Sequence, residues 1–351
     1  MKRIMLFISA LAAMVLAGSC QQELNPVTDG DTTVTFSVAA GDVATKAIAD
    51  GTNVDALYWE IYGTDVKTAA APLGNGSTKE RVDGKFTVTL KLLADQEYNI
   101  IFWAQVDGNN HYEWTDLRNI SIKDASDIDA NDESRAAFFK VYNFTTENGV
   151  SINETVTLKR PFSQINLGST TYETSFNNVN GGNVKVETSQ MTVTQVATSF
   201  NTLDGVGEGE QVITYNAAAT PNGEADKTQK ILEVNGLYYY WLGMNYLIVN
   251  GDSDNVDVDI TLVTNFGNVE HTVKNVPVKE NYRTNLLGDF LTTGATFTVV
   301  VDETFQTPDN LYGEDWTYAG NYQYSVLEGA AENTLSDILA HADGIAREAA
   351  P

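Results

Sequence analysis

The sequence predicts an all-β protein: two tandem antiparallel β-sandwich domains with a short helix, behind a lipoprotein signal peptide. Three observations point there. Apolar and polar residues alternate at period two in many short runs, Gly and Asn pairs punctuate those runs as turns, and helical spacing is rare in the body of the chain. Apolar residues make up 42% of the 351 and aromatics 10%. The roughly 330 residues that follow the leader exceed the size at which one core stops growing, so two cores are expected.

Met1-Lys2-Arg3 is a basic start, Ile4 to Ala17 is an apolar run, and Leu16-Ala17-Gly18-Ser19 leads in small steps into Cys20, the only cysteine. The run is too short to span a bilayer, so residues 1–19 read as a cleaved signal peptide and Cys20 as the lipidation residue. Several acyl chains, palmitate among them, make such an anchor stable. Residues 20–31, with Pro26, Asp29 and Gly30, form a lipidated tether. Losing Lys2 and Arg3 with the leader takes the formal charge from -26 to -28. That acidity excludes nucleic acid and anionic membrane surface as partners. An acylated Cys20 leaves no disulfide to staple the fold.

The first sandwich is expected over 32–160. Val34, Phe36 and Val38 alternate with Thr33, Thr35 and Ser37 as its first strand, followed by a small-residue loop from Ala40 to Gly51 that contains Lys46-Ala47. Leu57, Trp59 and Ile61 resume the alternation. Phe86, Val88, Leu90 and Leu92 give the cleanest half-buried strand, and the continuous apolar run Tyr98 to Ala104 suits a central one. Asn131 to Phe139 offers a cap, acidic first-turn residues and helix formers, which predicts a short helix. Val156 and Leu158 return to strand spacing, and Pro161 marks a crossing to the next sheet system.

The second sandwich is expected over 161–305. Phe162, Ile165 and Leu167 lead in, and Val184 to Val186 and Met191 to Val193 read as two strands with partners at Gln211 to Tyr215 and Ile231 to Val234. Val256 to Leu262 and Val269 to Val273 pair as a hairpin, and Phe297, Val299 and Val301 form the last strong strand. Residues 306–351 are a C-terminal tail. Tyr318, Tyr322, Tyr324 and Val326 give it a possible strand, and Asn333 to Ala342 reads as a short amphipathic helix.

No catalytic constellation emerges. His111, His271 and His341 lie far apart, and no nucleophile elbow, phosphate loop or dinucleotide fingerprint occurs. Gly205 to Glu210 reads as a loop, and Asp252 to Asp257, which lacks the glycine and terminal glutamate of a calcium loop, as a solvated turn. Glu113 and Asp116 could pair as glycosidase carboxylates only by chance in so acidic a chain. Tyr238-Tyr239-Tyr240-Trp241 could stack on sugar, yet aromatic strands in sandwiches are usually core. The chain is expected to be no enzyme and to need no cofactor or metal.

Thr157-Leu158-Lys159-Arg160-Pro161-Phe162-Ser163-Gln164-Ile165-Asn166-Leu167-Gly168 resembles the junction motif of the fimbrillin-like lipoproteins, the type V pilin superfamily. Asn281-Tyr282-Arg283-Thr284-Asn285-Leu286-Leu287-Gly288, the stretch from Asn131 to Phe139 and Trp114-Thr115-Asp116-Leu117 resemble that family too, and the likeness covers about residues 32–305. It implies transthyretin-like sandwiches, an outer-membrane, cell-surface lipoprotein and a place in a fimbrium serving cell adhesion. In that family the first strand, here Val34, Phe36 and Val38, is released by a trypsin-like processing protease, and a donor strand of another fimbrial subunit replaces it; the resemblance places that donor segment near the C-terminus, here Tyr318 to Val326. Lys46-Ala47 is the matching cut site, with lysine where the family commonly has arginine. The alternative expectation is a monomeric outer-membrane lipoprotein that binds glycan or another surface ligand through loops and aromatics such as Trp241 or Trp316.

Overall fold

The computed structural model describes residues 31–40, 53–108, 110–169, 186–221, 231–234, 237–251, 253–291 and 297–302. Cys20, Lys46, Ala47, Val184, Trp316 and the tail strand and helix lie outside them. In chain order the first strands are β1 Asp31–Ala40, β2 Ala56–Tyr62, β3 Gly74–Thr78, β4 Arg81–Val82, β5 Lys85–Leu93, β6 Glu97–Gln105, β7 Tyr112–Glu113, β8 Asn119–Ile122, β9 Ile128–Asp129, β10 Ala137–Thr145 and β11 Ile152–Leu158. They are followed by β12 Phe162–Ser169, β13 Val186–Asn201, β14 Val206–Ala219, β15 Ile231–Val234, β16 Leu237–Val249, β17 Ser253–Thr264, β18 Gly267–Lys279, β19 Arg283–Gly288 and β20 Phe297–Asp302.

Two four-stranded sheets, β11-β1-β5-β4 and β10-β6-β2-β3, face each other across a core of Val34, Phe36, Val38, Phe86, Ile100, Phe102 and Val156. β5 alternates strictly, with Phe86, Val88, Leu90 and Leu92 buried and Thr87, Thr89 and Lys91 exposed. β6 is hydrogen-bonded along both edges, to β10 and β2, and is buried on both faces, with Phe102 against Phe36 on one and Trp103 against Tyr112 on the other. Gly76 is where β3 passes Trp59, since a Cβ there would lie 2.6 Å from the indole. The remaining strands join one twelve-stranded sheet that folds into two layers. The first runs β18-β17-β13-β14, and the second runs β15-β16-β12-β19-β20. Ile165, Leu167, Met191, Val193, Leu247, Val258, Ile260 and Leu286 fill the space between them.

A break in β13 makes the corner. Its register against β14 shifts between Val193 and Val196, and Gln195 there has φ 58°. Bulges of this kind bend a strand and raise its twist. Beyond the bend Val196 and Ala197 leave β17 and pair with Val249 and Ile248 of β16, joining the layers. Gly207 allows β14 to close against the same corner, because a Cβ there would strike the Val249 carbonyl oxygen.

Several elements differ from the expectation. The helix of 131–139 is a single 3-10 turn, Glu133–Arg135, capped by the Asp132 side chain; Ala137, Phe138 and Phe139 belong to β10 and are buried in its ladder with β6. A locally helical sequence yields where three consecutive apolar side chains gain more from burial between sheets. Val206 to Glu210, expected as a loop, are the first residues of β14, and Asp254 to Asp257 lie in β17 rather than in a turn. Met191 to Val193 form part of one sixteen-residue strand, and Ile231 to Val234 pair with β16 rather than with β13. Among the described residues three strand ladders are parallel, β1 with β11, β12 with β19 and β9 with β14. The segment β7-β8-β9, from the first half of the sequence, hydrogen-bonds to β13 and β14 of the second.

Candidate functional site: a plugged strand slot and the joint beneath it

β1 occupies a slot. It is antiparallel to β5, with Val34 opposite Leu90 and Val38 opposite Phe86, and parallel to β11, with Val34 opposite Ile152 and Ala40 opposite Leu158. Among the described residues β11 has no other ladder; its only further bridge is Lys159 with Phe139, just past its end. Val34, Phe36 and Val38 are each 0% exposed. Burial of three such side chains is worth on the order of 6 kcal/mol. The Phe36 ring is held edge-on by Phe102 at 5.4 Å, Tyr142 at 5.9 Å and Phe144 at 5.3 Å between centroids. Without β1, β5 and β11 would each present a row of unpaired backbone donors and acceptors along an apolar groove. The alternation of 33–38 foretold the strand, but the cage comes from β6 and β10 and has no signature in β1 itself.

Just past the end of β11 lies a joint made by three of the stretches singled out in the sequence, those at 131–139, 157–168 and 281–288. Asn131, with φ 62°, donates from its amide to the Met244 carbonyl at 3.0 Å and accepts at Oδ1 from the Met244 amide at 2.8 Å. Its Nδ2 donates to Ser189 Oγ at 2.9 Å and to the Ala219 carbonyl at 3.1 Å. Asn281, φ 61°, accepts from the Arg160 amide and donates to the Phe162 carbonyl, so the crossing at Pro161 is pinned on both sides. Arg283 Nε donates to Gln164 Oε1 at 3.1 Å, and Asn166 Nδ2 donates to Asn285 Oδ1 at 2.8 Å, a buried polar ladder between β12 and β19. Phe162 stacks on Tyr112 at 5.8 Å and meets Tyr246 at 5.7 Å, and the Arg160 guanidinium lies 4.3 Å from the Phe138 ring.

The fold also brings His111 to Asp132 and Ser134, which lie two residues apart in the sequence. Ser134 Oγ lies 2.8 Å from His111 Nε2 and donates to Asp132 Oδ1 at 2.5 Å, while Asp132 Oδ2 is 3.2 Å from the same Nε2. Arg135 Nη1 stands 3.0 Å from Nδ1. A guanidinium can only donate, so Nδ1 accepts and the neutral ring carries its proton on Nε2, facing the serine. A nucleophilic serine needs a bare nitrogen there and an aspartate on the far side. This trio is wired the other way and serves as a structural clasp.

Burial alone would push the Asp132 carboxyl up, but hydrogen bonds from His111 and from the Ser134 hydroxyl and amide hold it at about 2. A carboxyl whose folded value is depressed gives stability that is whole above its ordinary value of 3.8 and is lost as the pH falls toward 2. Acid unfolding followed by tryptophan fluorescence is therefore expected to be steep between about pH 4 and 2, and Asp132→Asn is expected to flatten that segment.

The remaining candidates are occupied or buried. Asp116 forms a two-pronged pair with Arg118, at 2.9 and 2.8 Å, and the hydrogen bond from that guanidinium holds its carboxyl below the usual range, which removes it as a proton donor. Arg118 Nη1 also donates to the Val66 and Ala69 carbonyls, and Lys67 pairs with Asp204 at 2.7 Å. Lys67, Ala69, Asp116, Arg118, Asn201 and Asp204 line an open cleft of about 480 Å³ whose charged groups are already paired with one another. His271 Nε2 lies 2.7 Å from the Phe290 carbonyl oxygen, and its ring meets Phe290 and Phe297 edge-on. Tyr239, Tyr240 and Trp241 are core, so the expected ligand-stacking role of Trp241 is corrected: its indole is 4% exposed and donates to the Gly243 carbonyl. Among the described residues no group of three or more His, Cys, Asp or Glu side chains could hold a metal ion.

The fold and its slot define a class: an all-β protein of packed sandwiches whose first described strand lies within its own sheet, between β5 and β11. The chain belongs to DUF6562, a family of unknown function whose profile matches residues 24–334. A search of curated proteins finds no match to the sequence. Solved structures similar to it include a candidate cell adhesion protein from Bacteroides eggerthii, 11% identical over 80% of this chain and 98% of that one, with a TM-score of 0.49. Another is the tip fimbrial protein Mfa3 of Porphyromonas gingivalis with a C-terminal truncation, 10% identical over 78% and 99%, TM-score 0.45. A third is a fimbrial assembly protein from Parabacteroides distasonis, 12% identical over 78% and 99%, TM-score 0.43.

Proposed function

We propose that this protein is a fimbrial subunit, or a fimbria-associated surface lipoprotein, that serves adhesion and is held as a precursor by its own first strand. Cys20 anchors it to the outer membrane, the two sandwiches meeting at residues 160–161 are its domains, and other fimbrial subunits are its partners. A trypsin-like protease cuts at Lys46-Ala47, between β1 and β2, and a strand of a neighbouring subunit takes the slot.

The observation that carries this reading is the position of β1. An inner strand that supplies β11 with its ladder and fills an aromatic cage is joined to the body by a segment bearing a basic residue, so one cut leaves it held by noncovalent contacts alone. A vacated slot of this kind is closed most favourably by another strand, because only a strand satisfies both its walls and its floor.

The test is the N-terminus and mass of the protein recovered from cells, beside a detergent gel run without boiling. A start at Ala47 with a ladder of multimers is expected. An intact acylated Cys20 with a single monomer band overturns the reading and favours a monomeric ligand-binding lipoprotein.

A further inference from the structure

Three distant stretches of the chain meet at the cleft beside Arg118. Lys67 and Ala69 come from the loop after β2, Asp116 and Asn119 from the approach to β8 and its first residue, and Asn201 and Asp204 from the turn between β13 and β14. Thr202 ties the last two together: its amide donates to the Arg118 carbonyl at 2.9 Å and its hydroxyl to the Leu117 carbonyl at 2.8 Å. The cleft therefore lies on the seam between the two halves of the sequence. Small-ligand sites favour such seams, and 480 Å³ falls within their range of roughly 300–1,000 Å³.

The lining says what kind of molecule fits. Its charges cancel in two pairs, Arg118 with Asp116 and Lys67 with Asp204. The Arg118 guanidinium gives Nε and Nη2 protons to Asp116 and uses Nη1 on the Val66 and Ala69 carbonyls, which leaves a proton on Nη2 to spare. Its packing over the Tyr62 ring at 5.1 Å fixes it in place. Asn201 is held by the Leu203 and Asp204 amides, which donate to its Oδ1. The exposed carboxamide of Asn119 has no hydrogen-bond partner among the described residues. An anion entering here would have to draw a cation off its carboxylate, and a cation would have to do the reverse. A hydroxyl both gives and takes a hydrogen bond, so it can join these groups without breaking either pair. Groups held in position beforehand also cost little to order when a ligand arrives.

We propose that this cleft binds an uncharged sugar of one or two rings. The Asn119 carboxamide donates to one ring hydroxyl and accepts from its neighbour, the spare Arg118 proton and Asp204 serve others, and Ala69 and Leu203 offer apolar surface to a C–H face. The site would give the adhesive role proposed above its ligand class, and it does not depend on strand exchange. The two readings fail separately, since sugar binding by the uncut chain says nothing of the slot and a missing ladder of multimers says nothing of the cleft.

The test is calorimetric titration of the full-length protein, held in a detergent without sugar head groups. The probes are the methyl glycosides of glucose, galactose and mannose, the disaccharides maltose, cellobiose and lactose, and the charged sugars glucuronate and glucosamine. At least one neutral sugar is expected to bind saturably with a Kd of about 1 mM or below, and both charged sugars about tenfold more weakly. Asn119→Ala is expected to weaken that binding about tenfold and to leave the thermal unfolding midpoint where it was, because its carboxamide holds nothing in the fold. Asp204→Asn leaves Lys67 without its carboxylate and is expected to raise the affinity for glucuronate. Saturation by none of the neutral sugars overturns the proposal. Binding untouched by Asn119→Ala places the sugar elsewhere and overturns the site. Charged sugars that bind the unsubstituted protein as well as neutral ones, or glucuronate binding unchanged by Asp204→Asn, overturn the ligand class.

Discussion

Phe36→Asp is expected to unfold the first sandwich of the uncleaved chain, at a cost of more than about 4 kcal/mol. The substitution empties a site 0% exposed, removes three edge-on ring contacts and places a carboxylate between two apolar sheets. Phe36→Leu, which keeps most of the volume, is expected to cost about 1.5 kcal/mol. Urea unfolding of the uncleaved protein checks both values. The contrast with the cut, assembled form is the informative part. In the assembly we propose, residue 36 leaves with β1, so the assembled subunit is expected to be indifferent to the substitution. A loss of the same size in both forms would show that β1 stays in its slot.

The second large effect is expected at the joint. Asn131→Ala removes the side-chain amide that holds Met244, Ser189 and Ala219, and it forces an alanine to φ 62°. The Met244 N–H of buried β16 loses its Oδ1 acceptor while the Met244 carbonyl keeps the Asn131 backbone N–H, and with the backbone strain this argues for a loss of about 3 kcal/mol. Asn131→Gly, which relieves the backbone but still lacks the amide, is expected to recover about 1 kcal/mol of it. Hydrogen exchange at the Met244 amide should rise in both variants while Ile260, paired in β17 on the far layer, stays protected. An unfolding curve unchanged by Asn131→Ala would mean that the ring stack of Tyr112, Phe162 and Tyr246 holds the joint without it.

The acidic composition fits this division of labour. The chain carries a formal net charge of -26, while among the described residues Glu60, a carboxylate taken inward, accepts from the Tyr62 hydroxyl and the Leu117 amide. Burial and then the Glu60 hydrogen bond push the Tyr62 hydroxyl far up, so that it remains a donor throughout the physiological range. Arg118 over the Tyr62 ring at 5.1 Å completes a block that ties the loop after β2 to the stretch before β8.

What the sequence determined by itself is what depends on one residue and its nearest neighbours along the chain. Whether a side chain is wet or dry repeats at period two, so β1, β5, β17 and β20 were legible from alternation alone, and β6 from its unbroken apolar run. Helix-forming residues at 131–139 carried the wrong local message, because the burial that overrode it comes from β6 and the core behind it. Which strand lies beside which was decided only in three dimensions. The parallel pairing of β1 with β11 joins residues more than a hundred positions apart, the bend at Gln195 depends on β16 being there to receive it, and the Phe36 cage needs side chains from two other strands. The clasp of His111, Asp132 and Ser134 is the same case, since its chemistry is set by Arg135 on the far nitrogen. Alternation reports which face of a strand meets water, an energy summed locally; partners are chosen by contacts between distant segments, and those exist only after the chain has closed on itself.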